Sequence, residues 1–184
     1  MADGSNMAGF EMAAYDCSIL QLEGWDGAMA QFEVVLNRTL GGPLPNKVGD
    51  TARHDEWLVI RIAPRRFWLL CDGPPPIIDV DAERGCALPL SEGRVRVRLS
   101  GRGLKQVLER CVAADWETLG DGRAIQTGLD RMPVLLLRRS GFECDLLVPR
   151  SLSQGLMEWI ADASAAGTWL TASNRATWAA HLAK

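Results

Sequence analysis

"RVRVRLSGRGLKQVLERC", residues 94–111, sets Val95, Val97 and Leu99 against Arg94, Arg96 and Arg98 in strict alternation, as a strand does. It then turns at Ser100-Gly101-Arg102-Gly103 and places Leu104, Val107, Leu108 and Cys111 at helical spacing. Strand, glycine turn and helix is the layout of a phosphate-cradling loop, and equally that of a structural joint. A second copy of the layout decides between them. Shifted by 77 residues, Leu20-Gln21-Leu22-Glu23-Gly24 falls on Val97-Arg98-Leu99-Ser100-Gly101, and Trp25, Met29, Phe32, Val35, Leu36 and Leu40 follow with a helical period. In that copy the turn continues Trp25-Asp26-Gly27, where a bulky indole and a carboxylate form no anion cradle. What the copies share is a joint. The dinucleotide fingerprint fails at Gln106, which stands where its third glycine belongs, and no parallel βαβ unit follows. Anion capture by the helix N-terminus with Arg102 stays open.

Working outward, the same shift lays Trp57-Leu58-Val59-Ile60-Arg61 on Val134-Leu135-Leu136-Leu137-Arg138 and Leu69-Leu70 on Leu146-Leu147. The turns "APRR" (63–66) and "RSGF" (139–142) separate the strands of each pair and are short enough to close hairpins. Each half reads strand, helix, strand, strand, and a helix from about Ser151 to Ala163 extends the second. The expected class is α+β, mainly antiparallel sheets with helices packed on them. The two modules either pack on each other or share one sheet. The predicted layout is a flexible tail over 1–15 and a duplicated domain over 16–163. The first module spans about 16–71, a Pro/Gly-rich linker 72–93, and the second module 94–163. A helical extension over 164–184 carries Trp178 and Leu182 on one side.

A chain of 184 residues that is 47% hydrophobic can bury a core, and a net charge of −3 favours neither nucleic acid nor a membrane surface. The charge is unevenly spread: residues 1–92 hold 7 basic against 14 acidic side chains, residues 93–184 hold 13 against 9. Five scattered cysteines without a C-x-x-C pair, and no signal-peptide pattern, point to reduced thiols in the cytoplasm. No apolar run reaches the ~20 residues a membrane helix needs.

No reaction centre emerges. His54 lies in the polar connector "TARHDEW" and His181 near the C-terminus, neither with a nucleophile or second metal ligand at useful spacing. The pairs Asp55-Glu56 and Asp79, Asp81, Glu83 read as solvated loops, and the hydrolase, P-loop, zincin and EF-hand patterns are absent from the sequence. Two features rise above this. The Arg94, Arg96, Arg98 face is either a solvated sheet face or a surface for an acidic partner. The seven tryptophans, with arginine, are the residue types that protein interfaces concentrate. Arg94, Arg96, Arg98, Arg150, Trp169 and Trp178 are the candidate partner-interface residues.

Across residues 16–163 the chain resembles the gamma subunits of heterotetrameric sarcosine oxidases. The resemblance rests on "LQLEG" (20–24), "LGGPLP" (40–45), "DEWLVIRIAPRRFWLL" (55–70), residues 94–111 above, "GRAIQTGLDRMPVLLLRR" (122–139) and "CDLLVPRSLSQGLMEWI" (144–160). It implies a fold similar to the folate-binding lobe of glycine-cleavage aminomethyltransferase, internally duplicated. It also implies a non-catalytic subunit that grips larger partners, the alpha and beta subunits, with the delta subunit as a further candidate. Those subunits would hold FAD, FMN, NAD, tetrahydrofolate and zinc and oxidise sarcosine to glycine, with hydrogen peroxide and formaldehyde or methylenetetrahydrofolate as products. Alternatives within this frame are a complex acting on another N-methylated amine such as dimethylglycine, and a free-standing folate-binding aminomethyl-transfer protein. The linker at 72–93, with Asp79-Val80-Asp81, and the extension from Ser164 depart from the family pattern.

Overall fold

The computed structural model describes residues 9–74 and 77–165. Its first module is β2 (Ser18–Gly24), α1 (Met29–Thr39), β3 (Thr51–His54), β4 (Trp57–Ala63) and β5 (Arg66–Cys71). The second is β7 (Arg94–Ser100), α2 (Leu104–Cys111), β8 (Ala124–Leu129), β9 (Met132–Ser140) and β10 (Glu143–Pro149), closed by α3 (Arg150–Ala165). The duplication is confirmed with one more strand per copy than the sequence predicts. The short strands β3 and β8 escape detection because they are edges with little apolar alternation.

Two further strands, β1 (Glu11–Tyr15) and β6 (Gly85–Pro89), correct the expected tail and linker. Phe10 and Met12 enter the core while Glu11 and Tyr15 stay exposed, so this end of the predicted tail has a strand's alternation after all. Each leading strand crosses to the other module. β1 precedes β2 but pairs with β7, and β6 precedes β7 but pairs with β2. The sheets therefore run β1-β7-β10-β9-β8 and β6-β2-β5-β4-β3, all neighbours antiparallel and one order the counterpart of the other.

The modules form two sheets packed face to face rather than one shared sheet. Ile19, Leu58, Ile60, Ile62, Trp68 and Leu70 from one sheet meet Leu135, Leu137 and Leu147 from the other in a seam. The outer faces carry the helices. Phe32 and Leu36 of α1 pack on Leu22, Val59, Phe67 and Leu69. Leu104, Val107 and Leu108 of α2, with Leu156, Met157 and Ile160 of α3, cover Val97, Leu99, Leu136 and Leu146. The layers are helix, sheet, sheet, helix, and period-2 strands with both faces covered explain the long apolar runs in β4, β5, β9 and β10.

The modules are laced together where the loops after the helices meet. The Ala124 amide donates to the Gly49 carbonyl at 2.8 Å, the Thr51 hydroxyl donates to Gly122 O, and Asp50 pairs with Arg123. The pattern is two-fold: Gly49 N and Asp50 O bond the backbone of Arg61 just as Gly122 N and Arg123 O bond that of Arg138. Arg61 and Arg138, 77 residues apart, also pin these loops with their side chains, to Pro45 O in one case and to Trp116 O and Leu119 O in the other. The predicted extension over 164–184 begins inside α3, and the rest of it lies outside the described residues.

Candidate functional site

The arginine face of β7 turns toward the seam, where the chain supplies its own acidic partners. Asp145 of β10 is fully buried and accepts from Arg98 Nε at 2.9 Å and from Arg139 Nη2 at 2.6 Å and Nε at 2.8 Å. Arg98 also lies 3.1 Å from Glu143. The hydrogen bonds it donates to Asp145 hold the Arg98 guanidinium above its ordinary pKa, against burial. Arg96, buried, reaches Asp72 Oδ1 at 2.7 Å, and its Nε has no acceptor among the described residues. The Arg96 and Arg98 guanidinium carbons stand 5.5 and 5.6 Å from the Tyr15 ring centroid, so the strand contributed by the other module lids the cluster.

The remaining candidates divide by position. Arg94 at the start of β7 lies 5.1 Å from the Trp68 ring, across the seam. Arg150, at the first turn of α3, is a tie: its Nε donates to Glu92 O at 2.9 Å and its Nη2 to Asp16, Ser91 O and Arg94 O. Trp169 and Trp178 lie outside the described residues. The alternation that exposed the arginines to view in the sequence could not show that their face meets a second sheet. The 77-residue repeat carried the missing signal, since Gln21 and Trp68, the counterparts of Arg98 and Asp145, are seam residues too.

The other sequence candidates settle into structure. Gly101 (φ +113°) closes β7 where an added Cβ would meet the Gly9 carbonyl, and Gly103 precedes α2 as an N-cap that offers no side-chain hydrogen bond. The joint reading of the turn therefore stands on sterics. His54 Nε2 lies 3.1 Å from Pro43 O with its ring packed on Gly42. Burial pushes the Cys17 and Cys111 thiols up to about 11 and Cys144 further, so none is poised as a nucleophile. Among the described residues no three His, Cys, Asp or Glu side chains could hold a metal, and no helix is long and apolar enough to cross a membrane.

No protein-family profile matches the chain. Over 131 residues it is 30% identical to the sarcosine oxidase subunit gamma of Corynebacterium sp. (strain U-96), a match spanning 67% of this chain and 64% of that protein. A chain of the heterotetrameric sarcosine oxidase from Corynebacterium sp. U-96, solved with pyrrole 2-carboxylate, superposes with a TM-score of 0.77 at 26% identity, covering 86% of this chain and 85% of that one. The glycine cleavage system aminomethyltransferase T from Bartonella henselae gives 0.58 at 15% identity over 83% of this chain and 45% of its own length, which shows a shared fold. Both expectations drawn from the resemblance, the gamma-subunit likeness and the aminomethyltransferase-like α+β fold, are met.

Proposed function

We propose that this chain is the non-catalytic gamma-type subunit of a cytoplasmic heterotetrameric sarcosine oxidase, a docking piece for the subunits that carry out the chemistry. One observation carries the reading: the fold matches a chain of the sarcosine oxidase complex over 86% of this chain and 85% of that one. The interior supports it, because Asp145 is taken up by Arg98 and Arg139, Arg96 is paired with Asp72, and burial raises the Cys17 and Cys144 thiols above their ordinary pKa. In this reading FAD, FMN, NAD, tetrahydrofolate and zinc belong to the alpha, beta and delta partners. The assembled complex converts sarcosine to glycine with hydrogen peroxide and formaldehyde or methylenetetrahydrofolate.

Co-expression of the tagged full chain with the products of its neighbouring genes tests this. The expected result is recovery of a much larger protein with a flavin absorbance spectrum, active on sarcosine, while the chain alone turns over no methylated amine. Recovery of no flavoprotein, or turnover by the chain alone, defeats the proposal. A screen of the complex against dimethylglycine and other methylated amines fixes the substrate.

A further inference from the structure

Arginines drawn in from solvent in this chain come with carboxylates. Arg61 has Glu33, Arg66 has Glu23, Arg96 has Asp72, Arg138 has Asp121, and Arg98 and Arg139 share Asp145. Arg94 breaks the pattern: it is half-buried, burial depresses its pKa, and no carboxylate among the described residues pairs with it. Its contact is the face of Trp68. Stacking of this kind engages the plane of a guanidinium and leaves its in-plane N–H donors available, the geometry in which arginine takes a carboxylate edge-on.

The surroundings fit such a ligand. Arg94 and Trp68 line a cleft of about 230 Å³ at the rim of the seam, together with Gln21, Arg66, Gln126 and Thr127 over a floor that includes Leu135. Among the described residues no carboxylate lines it. Gln21 Oε1 is occupied by Trp68 Nε1 at 3.0 Å, which leaves the amide nitrogen of Gln21 as a donor. The cleft is thus cationic, rich in donors and apolar at its base. Its volume falls below the roughly 300–1,000 Å³ of sites that enclose whole small molecules, and suits a carboxylate on a short aliphatic stem.

We propose that the cleft of Arg94, Trp68, Gln21 and Gln126 is a carboxylate-binding site that receives an Asp or Glu side chain of a partner subunit, paired edge-on with Arg94. The proposal rests on the subunit reading above for the source of the carboxylate, and on the cleft alone for its chemistry. Two arms separate these. In the first, full-length wild-type, Arg94→Gln and Arg94→Lys chains are compared for affinity to the recovered partner, with melting temperature as the folding control. Arg94→Gln weakens binding by at least about tenfold, as removal of one member of a buried charged pair does, with melting unchanged; Arg94→Lys recovers part of the loss. Equal affinity of Arg94→Gln and wild type overturns the partner assignment. In the second, the isolated full chain is titrated with propionate at constant ionic strength while the Arg94 Nε–H resonance is followed. A saturable shift in the wild type, with the Trp68 indole N–H shift lost in Arg94→Gln, supports the site. No shift, or an indole response that survives the substitution, overturns it. Should the wild-type chain recover no partner, the subunit reading fails and the propionate arm still judges the cleft.

Discussion

The two modules put different chemistry at the same three seam positions. Gln21, Ile62 and Trp68 of the first correspond, 77 residues on, to Arg98, Arg139 and Asp145 of the second. In the first module the Trp68 indole donates to Gln21 across β2 and β5, a neutral pair joining two strands. In the second, one carboxylate on β10 holds arginines on β7 and β9 and so ties three strands. The backbone around both is alike, down to a bulge in each central hairpin. The same strand pairing and apolar centre of the seam therefore tolerate either a neutral or an ionic solution at these three rim positions.

The sharpest break of this comparison is at Asp145. Asp145→Ala leaves two arginines facing each other without their carboxylate, and the expected loss is about 3–5 kcal/mol, the usual cost of removing one partner from a buried ion pair. The corresponding truncation Gln21→Ala removes one neutral hydrogen bond and costs about 1 kcal/mol. Both are read as midpoint shifts in urea unfolding. Importing the first module's set, Arg98→Gln with Arg139→Ile and Asp145→Trp, recovers most of the loss, since well-packed neutral replacements of buried ion networks are often neutral or stabilising. A triple variant as unstable as Asp145→Ala would show that the two rims are not equivalent environments.

The glycine joints sharpen the comparison at smaller scale. Gly24 and Gly101 end corresponding strands, yet they are needed for different reasons. A Cβ on Gly24 would meet Met29 Sδ at 2.7 Å and Phe32 Cδ1 at 2.8 Å, both flexible side-chain atoms. One on Gly101 would meet the Gly9 backbone, at a φ of +113° that L-residues rarely adopt. Gly24→Ala is expected to cost about 1–3 kcal/mol, the range for overpacking. Gly101→Ala lies at or beyond the top of that range, since strain and clash add, and it also frays β1, which follows Gly9. Amide exchange in residues 11–15 separates the two: it rises in Gly101→Ala and stays at wild-type level in Gly24→Ala.

The repeat was legible because apolar helix-facing residues recur at one offset in both copies: Leu22 with Leu99, Val59 with Leu136, Leu69 with Leu146. From these the class, the hairpins and the joints follow. The exchange of β1 and β6 was not legible, because strand pairing between distant segments leaves no periodicity of its own, and both are short edges. The arginine face shows the limit most clearly. Alternation places Arg94, Arg96 and Arg98 on one side of β7, but whether that side meets water, a partner or a second sheet is decided by residues 47 positions away at Asp145 and across the seam at Trp68. Paired with the position of its counterpart, each arginine would have been readable; taken alone, none was.

The smallest difference lies at the outer end of the same strands. Glu23 and Arg66 form a two-point ion pair with hydrogen bonds of 2.8 and 3.0 Å, whereas their counterparts are Ser100 and Glu143, and Glu143 turns to Arg98 instead. The Arg66 hydrogen bonds hold the Glu23 carboxyl below its usual value of 4.5, with burial opposing. A carboxyl depressed in the folded state contributes its stability in full above that usual value and loses it as pH falls through the folded value. Arg66 is 41% exposed, so solvent screening keeps the contribution under about 1 kcal/mol. The melting-temperature gap between wild type and Glu23→Gln should therefore be constant near neutrality and close as the pH drops below 4.5. A gap of the same size in acid would mean that the ionised Glu23–Arg66 pair is not what the substitution removes, and that this end of the strands gains nothing from its charge.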